Sequence, residues 1–378
     1  MRLPAPRLTC ALLAPLLCAS PSAFALIAFN DGSDTVFVSG TAGVTYDSNI
    51  FADARDSAGD TSLNASLLLE YERKAGMLGV NASVGWSFST FSRYEEEDFA
   101  DPRFSFELTK GSGRTTGSLL LSAQRQHRAD TAINLRTESW NHDAGLNLRY
   151  PVIERYSISA NAGYSWQDYR ENDVLVDIES YRAGADLLYA LNSERDLLVG
   201  YRYRTTETSV DTTDVDHAVY LGITGKIITK LNGNARIGWQ RREIDPSQGG
   251  RTTHDGLTAS VATTWTVTNR FSMTGNVSKD VSTVATDNSV DITSASLDFQ
   301  YGVNGRTMAF AALSHTHLRF LDGGDRTDDG VGLSTGVTYT FSERLRVTLS
   351  YLYFQNWSTL PTSDYDRHSI SLNASTRW

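Results

Sequence analysis

The stretch "YSISANAGYSW", Tyr156 to Trp166, decides the fold. One set of alternate positions holds Tyr156, Ile158, Ala160, Ala162, Tyr164 and Trp166. The other holds Ser157, Ser159, Asn161, Gly163 and Ser165. Successive side chains of a strand point to opposite faces, so alternation this long reads as a strand with one apolar and one polar face. The chain closes on nearly the same text, "SISLNASTRW", Ser369 to Trp378.

The grammar recurs in "LGVNASVGWSF" (78–88), "LLVGYRYR" (197–204), "NARIGWQR" (234–241) and "RVTLSYLYF" (346–354). Eighteen such segments begin near residues 35, 61, 77, 101, 115, 137, 155, 178, 196, 214, 231, 255, 270, 289, 306, 329, 345 and 364. A strand that crosses a bilayer at a tilt needs about 9–11 residues. Connections come in two kinds. Tight ones such as "KAGM" (74–77), "GSGR" (111–114), "NSER" (192–195) and "NGR" (304–306) alternate with longer acidic ones, "SNIFADARDSAGD" (48–60), "YEEEDFAD" (94–101), "DPSQGG" (245–250) and "LDGGDRTDDG" (321–330). Short turns on one side and long loops on the other mark an outer-membrane barrel. The expected fold is all-β, a transmembrane antiparallel up-and-down barrel of about 18 strands, with 16 possible.

A repeat near 40 residues also fits a β-propeller, but a blade has four short strands and each repeat here has two long ones. Trp86, Trp140, Trp166, Trp239, Trp265, Trp357 and Trp378 all fall on the apolar parity. Near strand ends, they read as the aromatic girdle of a lipid-facing surface. An even strand count puts both termini at the periplasmic side, with Trp166 at the outer rim and Trp378 at the inner one. Lipid demands the same alternation of a strand running either way, which explains the repeated text.

The first 25 residues read as a secretory signal peptide: Arg2 and Arg7, a short apolar core, and Ala23-Phe24-Ala25 at the cleavage site. Residues 26–378 form the barrel. Cys10 and Cys18 both precede residue 26, so the mature chain has no thiol to cross-link. Of 34 basic and 44 acidic residues, two arginines leave with the leader, for a net of −12. That balance argues against nucleic acid.

No residues call for a cofactor, a metal or catalysis. His315 and His317 are expected in the lumen beside Ala309, Ala311 and Leu313, without a third ligand nearby in sequence. Asn64, Asn81 and Asn373 read as lumen-facing polar residues of strands. Arg125 is expected on the lipid parity, meeting headgroup phosphates. On the polar parity, Arg182, Asp186, Arg202, Arg204, Lys226, Arg236 and Arg242 are pore-lining candidates. Asp186 should lie opposite Arg202, with Arg236 at a similar height across Gly222. One Asp among so many cations predicts a basic strip that attracts anions.

The segment "VTYDSNIFADARDSAGDTSLNASLLLEY" (44–71) resembles the start of the Putative beta-barrel porin 2 group. Tyr46, Asp47, Ser48, Asn49, Ile50 and Phe51 carry the match. Some members of that group accompany exopolysaccharide synthesis systems, so the resemblance implies an export barrel for an extracellular polysaccharide and periplasmic export partners. Outer-membrane lipid and the barrel assembly machinery, acting through the C-terminal strand, are the other expected partners in a Gram-negative cell. The expected function is a porin-like channel; the alternative is a sealed docking barrel for a periplasmic complex. No loop is long enough to fold in as a constriction, which favours an open lumen or a plug from another protein.

Overall fold

The computed structural model describes residues 27–29, 33–74, 76–130, 135–170, 175–247, 249–322 and 325–378, and the leader expected at residues 1–25 lies outside them. A short strand, β1 (Ile27–Phe29), precedes eighteen long ones. The first nine are β2 (Asp34–Asp47), β3 (Asp60–Arg73), β4 (Gly79–Phe91), β5 (Phe99–Lys110), β6 (Thr116–Asp130), β7 (Leu135–Ile153), β8 (Tyr156–Arg170), β9 (Ile178–Asn192) and β10 (Arg195–Thr208). The rest are β11 (Thr213–Ile228), β12 (Leu231–Asp245), β13 (Thr252–Thr268), β14 (Phe271–Val284), β15 (Asn288–Gly302), β16 (Thr307–Phe320), β17 (Thr327–Thr340), β18 (Leu345–Ser358) and β19 (Tyr365–Arg377). Each of β2 to β19 starts within three residues of its expected segment.

Every long strand pairs antiparallel with the next, and β19 returns to β2, from Ser369 opposite Asp47 to Arg377 opposite Ser39. Trp378 extends the seam through two backbone bonds with Val38, at 2.9 and 3.0 Å. Beyond it β1 lies on β2 at Asp34, Thr35 and Val36. The closed ladder has no free edge, which a bilayer requires. Leu187, Val199, Leu221 and Ile237 stand side by side in register and are 51–61% exposed. Their neighbours Leu188 and Leu198, at 5% and 4%, point into the barrel. The apolar row continues round the whole wall, which identifies the outward face as the lipid face.

Turn chemistry separates the two ends. At the turn end, Asn192, Asn304 and Ser342 accept backbone N–H groups two residues on, at 2.9, 2.8 and 3.3 Å. Short polar side chains that mimic a backbone turn make such connections tight. At the loop end the connections vary more than the sequence pattern implies. Residues 209–212 and 285–287 make turns as short as those opposite, so long and short connections do not alternate strictly.

All seven tryptophans point outward by register. Trp140, Trp166 and Trp357 lie toward the loop end and Trp265 and Trp378 toward the turn end, whereas Trp86 and Trp239 sit mid-strand. β8 runs toward the loops and β19 toward the turns, so the two copies of the opening text are antiparallel.

Candidate functional site: the lumen and two hairpins folded into it

Arg182 and Asp186 on β9, Arg202 and Arg204 on β10, Lys226 on β11, and Arg236 and Arg242 on β12 all share the face of Leu188 and Leu198. Arg236 stands opposite Gly222 as expected. Asp186, however, faces Gly200, and Arg202 faces Gly184. The pairing around "NSER" contains an irregularity at Arg195, which shifts the register from that read in the sequence. Asp186 instead takes Arg236 at 3.1 Å and the Tyr220 hydroxyl at 2.7 Å. Gly200 makes the room: a Cβ there would lie 2.1 Å from the Asp186 carboxylate and 2.4 Å from the Tyr220 ring.

The β14–β15 hairpin leaves the wall. Pairing of β13 with β14 ends at Ala259 opposite Lys279, although β13 continues up to Thr252 and β14 to Val284. Above that point the tip makes contacts four strands away. The Arg202 guanidinium donates to both Asp280 oxygens at 2.9 and 2.8 Å. Arg204 binds Asp216 at 2.7 Å and the Val281 carbonyl at 2.5 Å. Thr208 and Thr212 each donate to Asp287 at 2.8 Å, and Val176 N–H donates to the Ala285 carbonyl at 2.8 Å. A strand cannot reach its fourth neighbour around the wall, so the tip lies inside the barrel. Its outward-parity residues Thr283 and Ser289 accordingly rest on lumen-face residues of β11 and β12.

Arg242 is the latch. It is fully buried between Asp214 and Asp216, which are also fully buried. Its guanidinium donates to Asp216 at 3.1 Å, to Ser289 at 3.1 Å, and to Asp214 and Thr283. Thr283 in turn donates to Asp214 at 2.7 Å. Three arginines (202, 204, 242) thus meet three aspartates (214, 216, 280). Arg236 is matched by Asp186 and Lys226 by Glu194 at 2.8 Å. The basic strip expected from sequence is therefore matched by carboxylates at Arg202, Arg204, Lys226, Arg236 and Arg242, with Arg182 exposed on the lumen face outside these pairs. The missing carboxylates come from β11 and from a hairpin that strand order places far away.

A second hairpin behaves alike. β5 and β6 pair only up to Arg103 opposite Gln124, and above that Arg125 and His127 of β6 lie on the lumen face of β5. Arg125 does not meet lipid: it bonds Asp101 at 3.2 Å, Glu138 at 3.3 Å and the Ala100 carbonyl. His127 sits 2.7 Å from Asp101 and stacks on Phe99 at 5.2 Å. Arg136 pairs with Glu97 at 3.0 Å, its guanidinium 4.9 Å over the Phe91 ring. Two hairpins therefore do what no loop was long enough to do.

His315 and His317 are a further correction. They share the face of Leu313, which pairs with exposed Leu297 and Leu333, so they point outward. "TMAFAALSHTHLRF" is apolar on both parities, and alternation alone cannot orient it.

The residues of the N-terminal motif clamp the closing seam. Asp47 receives Arg367 at 2.7 Å, and Ser48 exchanges backbone and hydroxyl bonds with His368 at 2.9 and 2.8 Å. Asn49, 1% exposed, donates to the carbonyls of Asp53 and Asp366 at 2.9 and 3.2 Å. Ile50 is buried and Phe51 meets Tyr94 edge-on at 5.2 Å, while Tyr46 faces outward. In the following loop, backbone N–H groups of Arg55 and Asp56 hold the Asp53 carboxyl below the ordinary carboxylate range.

Away from the latch the lumen wall is uncharged over long stretches. Hydroxyls pair across strands, Thr45 with Ser371 at 2.9 Å, Thr338 with Thr348 at 2.9 Å and Ser278 with Ser294 at 2.7 Å. Asn64 joins this wall through Thr45 at 3.1 Å and Ser89 at 2.9 Å, and Asn81 and Asn373 share its face. Phe310 and Phe354 lie against glycines of β17: a Cβ at Gly336 or Gly330 would come within 2.5 or 3.2 Å of their rings.

The family model described as "Putative beta-barrel porin 2" matches residues 222–377. That match spans β12 to β19 and the end of β11, and the motif at 46–51 lies outside it. No curated protein sequence matches the chain. Among solved structures, Pseudomonas aeruginosa OccK1 (OpdK) superimposes with a TM-score of 0.52 at 12% identity, covering 91% of this chain and 99% of that one. Pseudomonas aeruginosa OccK2 (OpdF) gives 0.51 at 12% identity, covering 93% and 99%. At such identity the likeness shows the fold alone. Closed ladder, apolar outward face and porin-type fold place the chain in the outer membrane.

Proposed function

We propose that the chain is a porin-like channel whose path runs along the uncharged wall and is narrowed at the loop end by the β14–β15 hairpin. The single observation that carries this reading is the hairpin itself, held inside the lumen by Arg202, Arg204 and Arg242. A barrel of this strand number is wide enough for an aqueous passage, and an inward fold is what such a passage needs to become selective. Trp140, Trp166, Trp265, Trp357 and Trp378 serve as its girdle, with Trp86 and Trp239 lying within the apolar band. The assembly machinery engages β19, whose end forms the seam.

The solute we assign is an extracellular polysaccharide, moving outward. Support comes from the resemblance at 46–51 and from the wall, where hydroxyls alternate with the flat rings of Phe310 and Phe354. Sugars offer both hydroxyls and apolar faces, so such a wall solvates them without trapping charge. The depth at which Arg242 is buried favours a second reading, a permanently sealed barrel that docks a periplasmic complex. Planar-bilayer recording of the purified barrel separates the two. Stable single-channel conductance is expected; electrically silent bilayers into which the protein has verifiably inserted would assign the sealed barrel.

A further inference from the structure

Two constellations on the outward face are built alike. On β10, Tyr201 and Tyr203 flank His217 of β11; on β18, Tyr351 and Tyr353 flank His368 of β19. In each the first tyrosine's hydroxyl lies 2.7 Å from the imidazole Nδ1. The second tyrosine's ring packs on the imidazole, at 5.4 Å in one site and 4.9 Å in the other. With Nδ1 engaged by the hydroxyl, Nε2 of His217 is the nitrogen left to face the surroundings, whereas Nε2 of His368 lies against Asp366. The other outward histidines are also partnered: His142 is stacked between Trp140 and Trp166, and His315 and His317 share Asp329.

Their heights agree. Counted from the turn end of its strand, His217 is 11 residues up (228 − 217) and His368 is 9 (377 − 368). His142 is 11 (153 − 142), and His315 and His317 are 8 and 10 (315 − 307, 317 − 307). At roughly 3.4 Å per residue and a tilt near 40°, the two tyrosine-flanked sites stand about 23–29 Å above the turns. The apolar band of such barrels is about 25 Å tall, so the imidazoles sit at its upper edge, level with headgroups of the outer leaflet.

We propose that this belt binds the phosphate-bearing headgroups of outer-leaflet lipid, with the sites at His217 and His368 as principal contacts. The proposal rests on the outer-membrane placement and is independent of whether the lumen conducts. A protonated imidazole is a cation with two donors, and the flanking hydroxyl fixes the ring that presents it. Other charged groups face each site. Arg241 stands opposite His217 and is held by Asp255 at 2.8 Å, with Glu243 one step along β12. At His368 the neighbour is Asp366, 3.4 Å from Nε2. Because Asp366 engages Nε2 of His368 whereas the carboxylate beside His217, Asp255, is taken up by Arg241, the His217 site contributes more.

The test uses the full barrel in nanodiscs of phosphatidylcholine containing either lipid A or dephosphorylated lipid A. Lipid A retained after mild detergent extraction is measured near pH 5.5 and near pH 8. Retention is expected to be several-fold higher at the lower pH, for the phosphorylated lipid only. His217→Gln with His368→Gln should remove most of that pH difference, His217→Gln alone removing the larger share. Heat-modifiable gel migration reports that the variants still fold, and Tyr201→Phe with Tyr351→Phe gives a milder change expected to weaken the same difference. Unchanged retention in the histidine double variant overturns the proposal, as does equal retention of the dephosphorylated lipid. If inorganic phosphate in maltoside detergent perturbs the His217 and His368 imidazole resonances as strongly as lipid A does, the ligand is a free anion and the headgroup assignment falls.

Discussion

Replacing Arg242 with alanine should open the barrel. The guanidinium lies fully buried between two fully buried carboxylates, Asp214 and Asp216, and also holds Thr283 and Ser289 of the inserted hairpin. Arg204 pairs with Asp216 and Asp280 and not with Asp214, so Asp214 would be left without an ion-pair partner. Removing one partner of a buried ion pair typically costs about 3–5 kcal/mol, because the surviving charge stays out of water. The cheapest relief is for the hairpin to lift and let water in. Thermal unfolding in detergent should move to lower temperature, single-channel current should rise and flicker, and the reversal potential should shift toward cations because an unmatched carboxylate now faces the path. A variant with wild-type current, selectivity and melting temperature would show that Arg242 does not hold the hairpin.

Shortening the hairpin should have the larger effect on current and the opposite effect on selectivity. Lys279 and Thr293 are paired, so Asp280 to Ile292 can be replaced by a two-residue Asn-Gly turn without disturbing the register below. The deletion removes Asp280, Asp287 and Asp291 and no basic residue. Arg202 then loses its bidentate partner, and three arginines face two aspartates. Conductance should rise by roughly twofold or more, as when a constriction is cut from a barrel wide enough for water, and selectivity should shift toward anions. The two variants therefore share a direction in current and differ in sign of selectivity. A merely destabilised barrel would not produce that pattern.

The wall was legible in the sequence because a period of two is imposed by lipid on one side and water on the other. That demand is local, so Tyr156 to Trp166 shows it without reference to any other strand. It failed at "TMAFAALSHTHLRF", where both parities are apolar and the outward face of His315 and His317 could not be read. The inserted hairpins were hidden for a different reason. Alternation tells which face a side chain takes, but not which strand that face will rest on. A signal was present: above Val277 and Ala295 the outward parity of β14 and β15 turns polar at Lys279, Thr283, Ser289, Asp291 and Thr293, with Val281 the one apolar residue among them. The same occurs in β6 and β7 at Arg125, His127, Arg136 and Glu138. Polar residues on what should be the lipid face mean that the face meets protein or water instead. The charge balance followed from that oversight, because Asp280 lies on the hairpin that partners Arg202. Pairing consecutive strands by eye could not bring β14 to β10.

The inward position of the β14–β15 hairpin is tested most directly by a cross-link. No cysteine follows Cys18, so the barrel strands offer no thiol to compete with paired substitutions. Val176→Cys with Ala285→Cys joins two buried positions whose backbones share a 2.8 Å hydrogen bond, one beside β9 and one at the hairpin tip. Neighbouring backbones of this kind lie within disulfide reach. Mild oxidation of the folded barrel in its membrane should link them nearly completely and suppress current flicker, and reduction should restore wild-type behaviour. Failure to cross-link in a barrel that still shows heat-modifiable migration would mean the tip stands outside the lumen, and the constricted-channel account would be wrong.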